Sequence, residues 1–223
     1  MLANRPRIMS VGTANPPECY TQQEILERYR VANPLVRSLF SASHIKTRYL
    51  YLPEADEGGR PQENQEQLLK KHRKGAMELI PQAIERCLRP LGMEARDIDY
   101  LLIISSTGFM LPGLTAMCIK HMGFRVNCHR TDVVGMGCNA GLNGLNPVAS
   151  WASANPGKNA LMICCEINSA LYIYDDTVGT GVVNSLFGDG TAAVLMRANP
   201  IDEDHFAPRV LGFYSHIIPD EWG

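Results

Sequence analysis

The sequence predicts an α/β fold, a mostly parallel sheet with helices on both faces and an antiparallel addition at its end. Two apolar runs of strand length, "DYLLIISST" and "NALMICCEI", lack polar alternation, as central strands covered on both sides do. Segments of helical periodicity lie between and around them, bounded by Gly, Pro and Asn.

Taken in order, "RIMSVGTA" alternates and is β-branched enough for a first strand, and "TQQE" at Thr21 to Glu24 has the capping-box pattern that starts a helix. From Gln62 to about Leu91 the apolar positions Leu68, Leu69, Met77, Ile80, Ile84, Cys87, Leu88 and Leu91 recur at near-helical spacing. Pro81 predicts a kink or a break there. "DYLLIISST" then forms a central strand, and "LPGLTAMCIKHMG" a helix stopped by Gly123. "TDVVGMG" is the next strand and Asn139 to about Asn155 the next helix, with Pro147 inside it and "NPG" closing it. "NALMICCEI" is a third apolar strand. "DDTVGTGVVNSLFG" reads as loop then helix, and "TAAVLMRA" and "RVLGFYSHII" as strands separated by "NPIDED". No closing helix follows, so the expectation is a chain that stops before its fold does.

With 223 residues, 45% hydrophobic and 20% charged, the chain can bury one large core or two small ones. A net charge of -2 argues against a nucleic-acid footprint, which needs clustered Lys and Arg. The basic run "KKHRK" at Lys70 to Lys74 reads as a solvated helix face. The first residues carry no apolar leader, and no segment approaches the roughly 20 apolar residues that span a bilayer, so a cytoplasmic location is expected. Seven cysteines, odd in number and without a C-x-x-C pair, indicate neither a disulfide framework nor a structural zinc site. The ten-residue steps between Cys118, Cys128 and Cys138 match no metal spacing.

The stretch "VVGMGCNAG", Val133 to Gly141, admits two chemistries. Gly135, Gly137 and Ala140 satisfy G-x-G-x-x-A between a strand and a helix, with Glu166 ending the next strand. That dinucleotide fingerprint belongs on a first βα unit, whereas here two strands precede it. Glu166 also lies 31 residues beyond Gly135, where about 20 is expected. The second chemistry takes Cys138 as a nucleophile at the positive end of a helix, with small neighbours that admit a bulky acyl chain. A helix terminus supplies about 1 kcal/mol, too little to keep an ordinary thiol ionised at neutral pH, so a basic partner, most often His, is needed. The bland alternative is a small buried hydrophobe, the commonest fate of a cysteine.

"GMGCNAG", "CCEINSA" and "NSLFGDGTAAVLM", in that order, resemble the active-cysteine half of the type III polyketide synthases, the chalcone synthase family of the thiolase fold. "GTANPP", "HIKTRYLYLP", "STGFMLPG" and "FGDG" extend the likeness over essentially the whole chain. "VGMGCNAGLNGLN" with "VVNSLFGDG" is most similar to a bacterial branch, the 3,5-dihydroxyphenylacetyl-CoA synthases. The resemblance implies a thiolase-like layered fold, with residues 1–223 as one N-terminal domain and the C-terminal half absent.

By the same resemblance Cys138 accepts an acyl group as a thioester, and Phe187 guards the junction of the CoA tunnel with the cavity. Ser106, Thr107, Glu166, Asn168 and Leu171 line that cavity. Leu111 reaches across a homodimer interface into the partner's cavity. Acyl-CoA and malonyl-CoA are the implied substrates, with no resident cofactor and no metal. Asn168 and Leu171 stand where chalcone synthases have threonines, which points away from a phenylpropanoid starter. At the family's CoA-phosphate cations stand Leu35, Ser38 and Ala42, with only Arg37, Lys46 and Arg48 nearby.

The family's second half supplies a His and an Asn that activate the cysteine and stabilise the enolate. None of His44, His72, His121, His129, His205 and His216 has that context, so surface or core roles are expected for all six. The chain then reads as a fragment, as one half of an enzyme completed by a separate C-terminal half, or as a shortened inactive relative. An isolated half would expose a sheet edge and an apolar face, which predicts aggregation or obligate association. Two rivals stand beside the synthase reading: a ketoacyl-carrier-protein synthase of the same fold, and a catalytically silent partner subunit.

Overall fold

The computed structural model describes residues 5–54, 63–198 and 207–216. Seven strands and six helices are formed among them. In chain order they are β1 (Arg7–Ala14), β2 (Cys19–Thr21), α1 (Gln22–Arg28), α2 (Pro34–Ala42), β3 (Thr47–Tyr49), α3 (Gln65–Leu88) and β4 (Tyr100–Ser105). There follow α4 (Leu114–His121), β5 (His129–Val134), α5 (Ala140–Ala154), β6 (Ala160–Glu166), α6 (Val178–Leu186) and β7 (Gly190–Arg197). Five strands make one sheet in the order β1-β7-β6-β4-β5, and β2 with β3 makes a small second one. β4, β5 and β6 are parallel, while β7 runs antiparallel to both β6 and β1. The antiparallel addition therefore lies inside the sheet, between β6 and the first strand.

Burial explains the layering. β4 alternates with period two: Leu101 and Ile103 face a core built with Leu79, Ile80 and Ala83 of α3 and Leu114 and Cys118 of α4. Tyr100, Leu102 and Ile104 face the other core, against Val148, Ala149 and Ala152 of α5. Both faces are covered, so the sequence of this strand reads as an unbroken apolar run. A smaller core joins α1 and α2 through Ile25, Leu26, Val36 and Phe40.

Three local expectations need correction. Pro81 neither breaks nor ends its helix, because α3 runs unbroken from Gln65 to Leu88 with Ile80, Ala83 and Ile84 buried to either side of it. Packing against the sheet offsets the roughly 3 kcal/mol that an interior proline costs. "RVLGFYSHII" forms no strand among its described residues. Arg209 bridges to Arg7, and Ile8 N–H donates to Pro208 O at 2.9 Å and Val210 N–H to Pro6 O at 2.9 Å, after which Leu211 and Tyr214 are exposed. The basic run is not wholly a solvated face either: Lys70 pairs with Glu66 in the open, but His72 is fully buried.

The N-terminal ends of the parallel strands are tied by Asp99. Its carboxylate accepts from Asn159 N–H at 2.9 Å and pairs with Arg125 at 2.6 Å and Lys158 at 3.5 Å. Burial alone would raise the Asp99 carboxyl, yet these donors together hold it below the usual carboxylate range. Its contribution is thus present above that range and is lost as pH falls through the lowered value. The cost of Asp99→Asn, measured as ΔTm across a pH series, should be largest near neutrality and shrink toward zero in acid.

Candidate active site

The C-terminal ends of β4, β5 and β6 converge, and the loops that leave them hold most of the residues singled out in the sequence. After β5 the backbone turns through Gly135 and Gly137, both left-handed at φ 72° and 77°, a conformation that a side chain strains. Between that turn and the first residue of α5 stands Cys138, exposed. Ala140 N–H closes the turn on Gly137 O at 3.0 Å, and Asn139 makes no side-chain cap to the helix. The small residues of this loop are therefore turn formers, and the thiol is open to solvent.

The neighbouring loop, after β4, braces the turn. Gly137 N–H donates to Ser106 Oγ at 3.1 Å, and Ser106 N–H donates to both oxygens of Glu166 at 2.9 and 3.0 Å. Thr107, buried, accepts from Ile167 N–H at 2.9 Å. Burial raises the Glu166 carboxyl, while hydrogen bonds from Ser106 and Thr107 oppose the rise. The carboxylate is occupied by the Ser106 loop and so is not presented as the ribose ligand of a dinucleotide site.

A third cluster surrounds Phe187, which is 37% exposed at the end of α6. Its carbonyl accepts from Arg48 Nη1 at 2.8 Å and from the Tyr172 hydroxyl. Arg48 also donates to Tyr172 Oη at 2.6 Å and to Gln22 Oε1 at 2.7 Å. Asn168 Nδ2 reaches Gly188 O at 2.5 Å, which places Asn168 beside Phe187, and Leu171 is exposed at the end of the same 3-10 turn. Next to it Asp189 accepts from Ser169 N–H at 2.8 Å and from Tyr51 N–H at 2.7 Å, its carboxyl raised by burial.

Ser106, Thr107, Glu166 and the Cys138 turn thus form one hydrogen-bonded unit. Asn168 and Phe187 form a second, and Leu111 belongs to neither. Leu111 is 83% exposed and lines a groove of about 450 Å³ between α3 and α4 with Leu69, Phe109 and Met117. Of the three cations near the expected CoA-phosphate positions, Lys46 is exposed and Arg37 half-buried, but Arg48 is buried and spent on the Phe187 carbonyl. The sequence reading missed that anchoring role and the one played by Asp189. The aspartate of the "FGDG" motif is the residue concerned, bound by the Ser169 hydroxyl as well as by the two backbone N–H groups. Among the described histidines His44, His121, His129 and His216 are exposed and His72 is core, while His205 lies outside the described residues. All seven cysteines are unpaired.

The chain matches the family model described as chalcone and stilbene synthases, N-terminal domain, over residues 3–200. It is 47% identical over 220 residues to a 3,5-dihydroxyphenylacetyl-CoA synthase of Streptomyces toyocaensis, covering 97% of this chain and 56% of that protein. It is 34% identical over 189 residues to a 1,3,6,8-tetrahydroxynaphthalene synthase of Streptomyces coelicolor, covering 82% and 50%. PKS-I of the brown alga Ectocarpus siliculosus superposes with TM-score 0.79 at 29% identity, covering 90% of this chain and 58% of that one. The S. coelicolor tetrahydroxynaphthalene synthase, a bacterial type III polyketide synthase, does so with TM-score 0.76 at 32% identity, covering 86% and 56%. The chain spans about half the length of the curated relatives it matches. The α/β, thiolase-like layered fold expected from the sequence is the fold of these type III polyketide synthases. The exposed cysteine at its glycine turn accordingly stands in the N-terminal domain of the chalcone and stilbene synthase family, to which this chain belongs.

Proposed function

We propose that this chain supplies the nucleophile of a type III polyketide synthase. The observation that carries the reading is the exposed Cys138, held on a braced glycine turn at the start of α5 and beside the Ser106 and Glu166 unit. Its thiolate, formed when the thiol gives its proton to the basic partner, attacks the carbonyl of an acyl-CoA. The bond from that carbonyl to the CoA sulfur breaks, and CoA leaves as a thiolate that takes the proton back from that partner. Malonyl-CoA then loses carbon dioxide. The electron pair of the broken carbon–carbon bond becomes an enolate, whose carbon attacks the acyl-enzyme and releases the Cys138 thiolate. Decarboxylation creates the nucleophile without a strong base, so the step needs oxyanion donors above all. A His and an Asn from a C-terminal half, in the same polypeptide or in a separate chain, supply them.

In this reading Ser106, Thr107, Glu166, Asn168 and Leu171 line the cavity and Phe187 guards its entrance. Leu111 reaches into the partner of a homodimer, a role its exposure supports. The substrates are CoA thioesters, with no resident cofactor, and the enzyme works in the cytoplasm. No helix among the described residues is long and apolar enough to cross a membrane. The identity to relatives named 3,5-dihydroxyphenylacetyl-CoA synthase supports a product of that kind. Asn168 and Leu171, in place of threonines, support a cavity unlike that of chalcone synthases.

The test is acylation. The protein is incubated with acetyl-CoA or malonyl-CoA, with and without a separately expressed C-terminal half from a relative, and digested for mass spectrometry. A thioester on the Cys138 peptide is the expected result. No adduct under either condition would sink the reading in favour of a silent subunit, and an adduct formed only from an acyl carrier protein would favour the ketoacyl synthase.

A further inference from the structure

Behind the loop that carries Ser106 and Thr107 lies an imidazole that the proposed chemistry does not use. His72 projects from α3 into the core and is fully buried, with Nε2 3.1 Å from Ser105 Oγ and no hydrogen-bond partner at Nδ1. Ser105 Oγ is in turn 3.3 Å from Thr107 Oγ1. Thr107 accepts the Ile167 N–H and also hydrogen-bonds the Glu166 carboxylate. The ring fits because residue 108 is glycine: a Cβ there would stand 2.4 Å from Nδ1.

Hydrogen-bond accounting gives this chain a direction. An orphaned buried N–H is rarer and costlier than a bare acceptor, so the unpartnered Nδ1 is the bare nitrogen and Nε2 carries the proton. A charged ring would add a second N–H with nothing to receive it, and burial accordingly lowers the ring's affinity for protons. Nε2–H then donates to Ser105, whose own proton goes to Thr107, whose proton faces Glu166.

We infer that His72 is a positioning residue for the candidate site, a neutral donor from Nε2 that orients the Ser105 and Thr107 hydroxyls toward Glu166. It thereby stiffens the loop on which Ser106 holds the Cys138 turn. The consequence for catalysis rests on the proposed role of Cys138, but the hydrogen-bond chain itself does not.

Long-range proton–nitrogen NMR of the 223-residue protein should show His72 at neutral pH with Nε2 protonated and Nδ1 bare. In His72→Phe, amide exchange at Ile167 and Gly137 should rise about tenfold relative to Leu161 and Ile163 in the same sheet, the scale of one net hydrogen bond. His72→Gln, whose amide nitrogen reaches about as far as Nε2, should return both amides to within about threefold of the parent. Gly108→Ala should loosen the same amides with His72 still present. A charged ring, an Nδ1-protonated ring, or a uniform rise across the sheet with no rescue by glutamine would overturn the assignment. Should the phenylalanine variant not fold, the NMR signature and Gly108→Ala decide. An absent thioester on Cys138 with these results intact would sink the synthase reading and leave the His72 chain standing.

Discussion

Cys138→Ala, assembled with a C-terminal half, should lower polyketide formation by about 10⁴-fold or more, the scale on which loss of a covalent nucleophile is felt. The thioester on the Cys138 peptide should vanish with it. Stability should not follow, because the side chain is exposed and packs into no core, and exposed substitutions usually stay within about 0.5 kcal/mol. Equal melting temperatures with lost adduct and lost product separate chemistry from folding. Cys138→Ser nearly keeps the volume but puts a hydroxyl, a far weaker acid, in place of the thiol, so it should fail nearly as completely. Undiminished product from either variant would remove the central residue of the proposal.

The largest stability effect should come from a methyl group. At Gly12, on β1, an added Cβ would stand 2.2 Å from Ala83 O and 2.4 Å from Cys87 N, both backbone atoms of α3. No rotamer relieves such a contact; the helix must move off the strand. Gly12→Ala should therefore cost about 3 kcal/mol or more, at the upper end of what overpacking does. Urea unfolding followed by circular dichroism measures it. A cost within about 0.5 kcal/mol, the range of ordinary surface changes, would show that β1 and α3 do not pack as closely as described.

The central strands β4 and β6 were legible because burial on both faces leaves an uninterrupted apolar run, and the helices because caps and glycines mark their ends. The β2 and β3 pair was not: "CYT" and "TRY" are too short for alternation to register, and they form where the chain ends of α1 and α2 bring them together. α3 misled because a proline is judged locally, whereas its neighbours are held by the whole sheet. "RVLGFYSHII" misled in the opposite sense: its composition suits a strand, yet among the described residues beyond Val210 no ladder receives it. In the site, Cys138, Phe187 and Glu166 could be named from motifs. The contacts that fix them come from residues distant in sequence: Arg48 to the Phe187 carbonyl, Ser106 to Gly137, His72 to Ser105. No spacing rule connects positions that meet only when the sheet has closed.

The sheet closes late. Arg7 pairs with Arg197 and Ala14 with Thr191, so β1 finds its neighbour only when nearly all of the described residues have emerged from the ribosome. Until then the apolar flank of α3 that β1 and β7 cover is bare, and contacts of such long sequence separation are slow to form. Synthesis of this domain thus carries a waiting period, during which a nascent polypeptide stopped short of residue 190 holds α3 packed only on β4 and β6, with the flank that β1 and β7 complete still open.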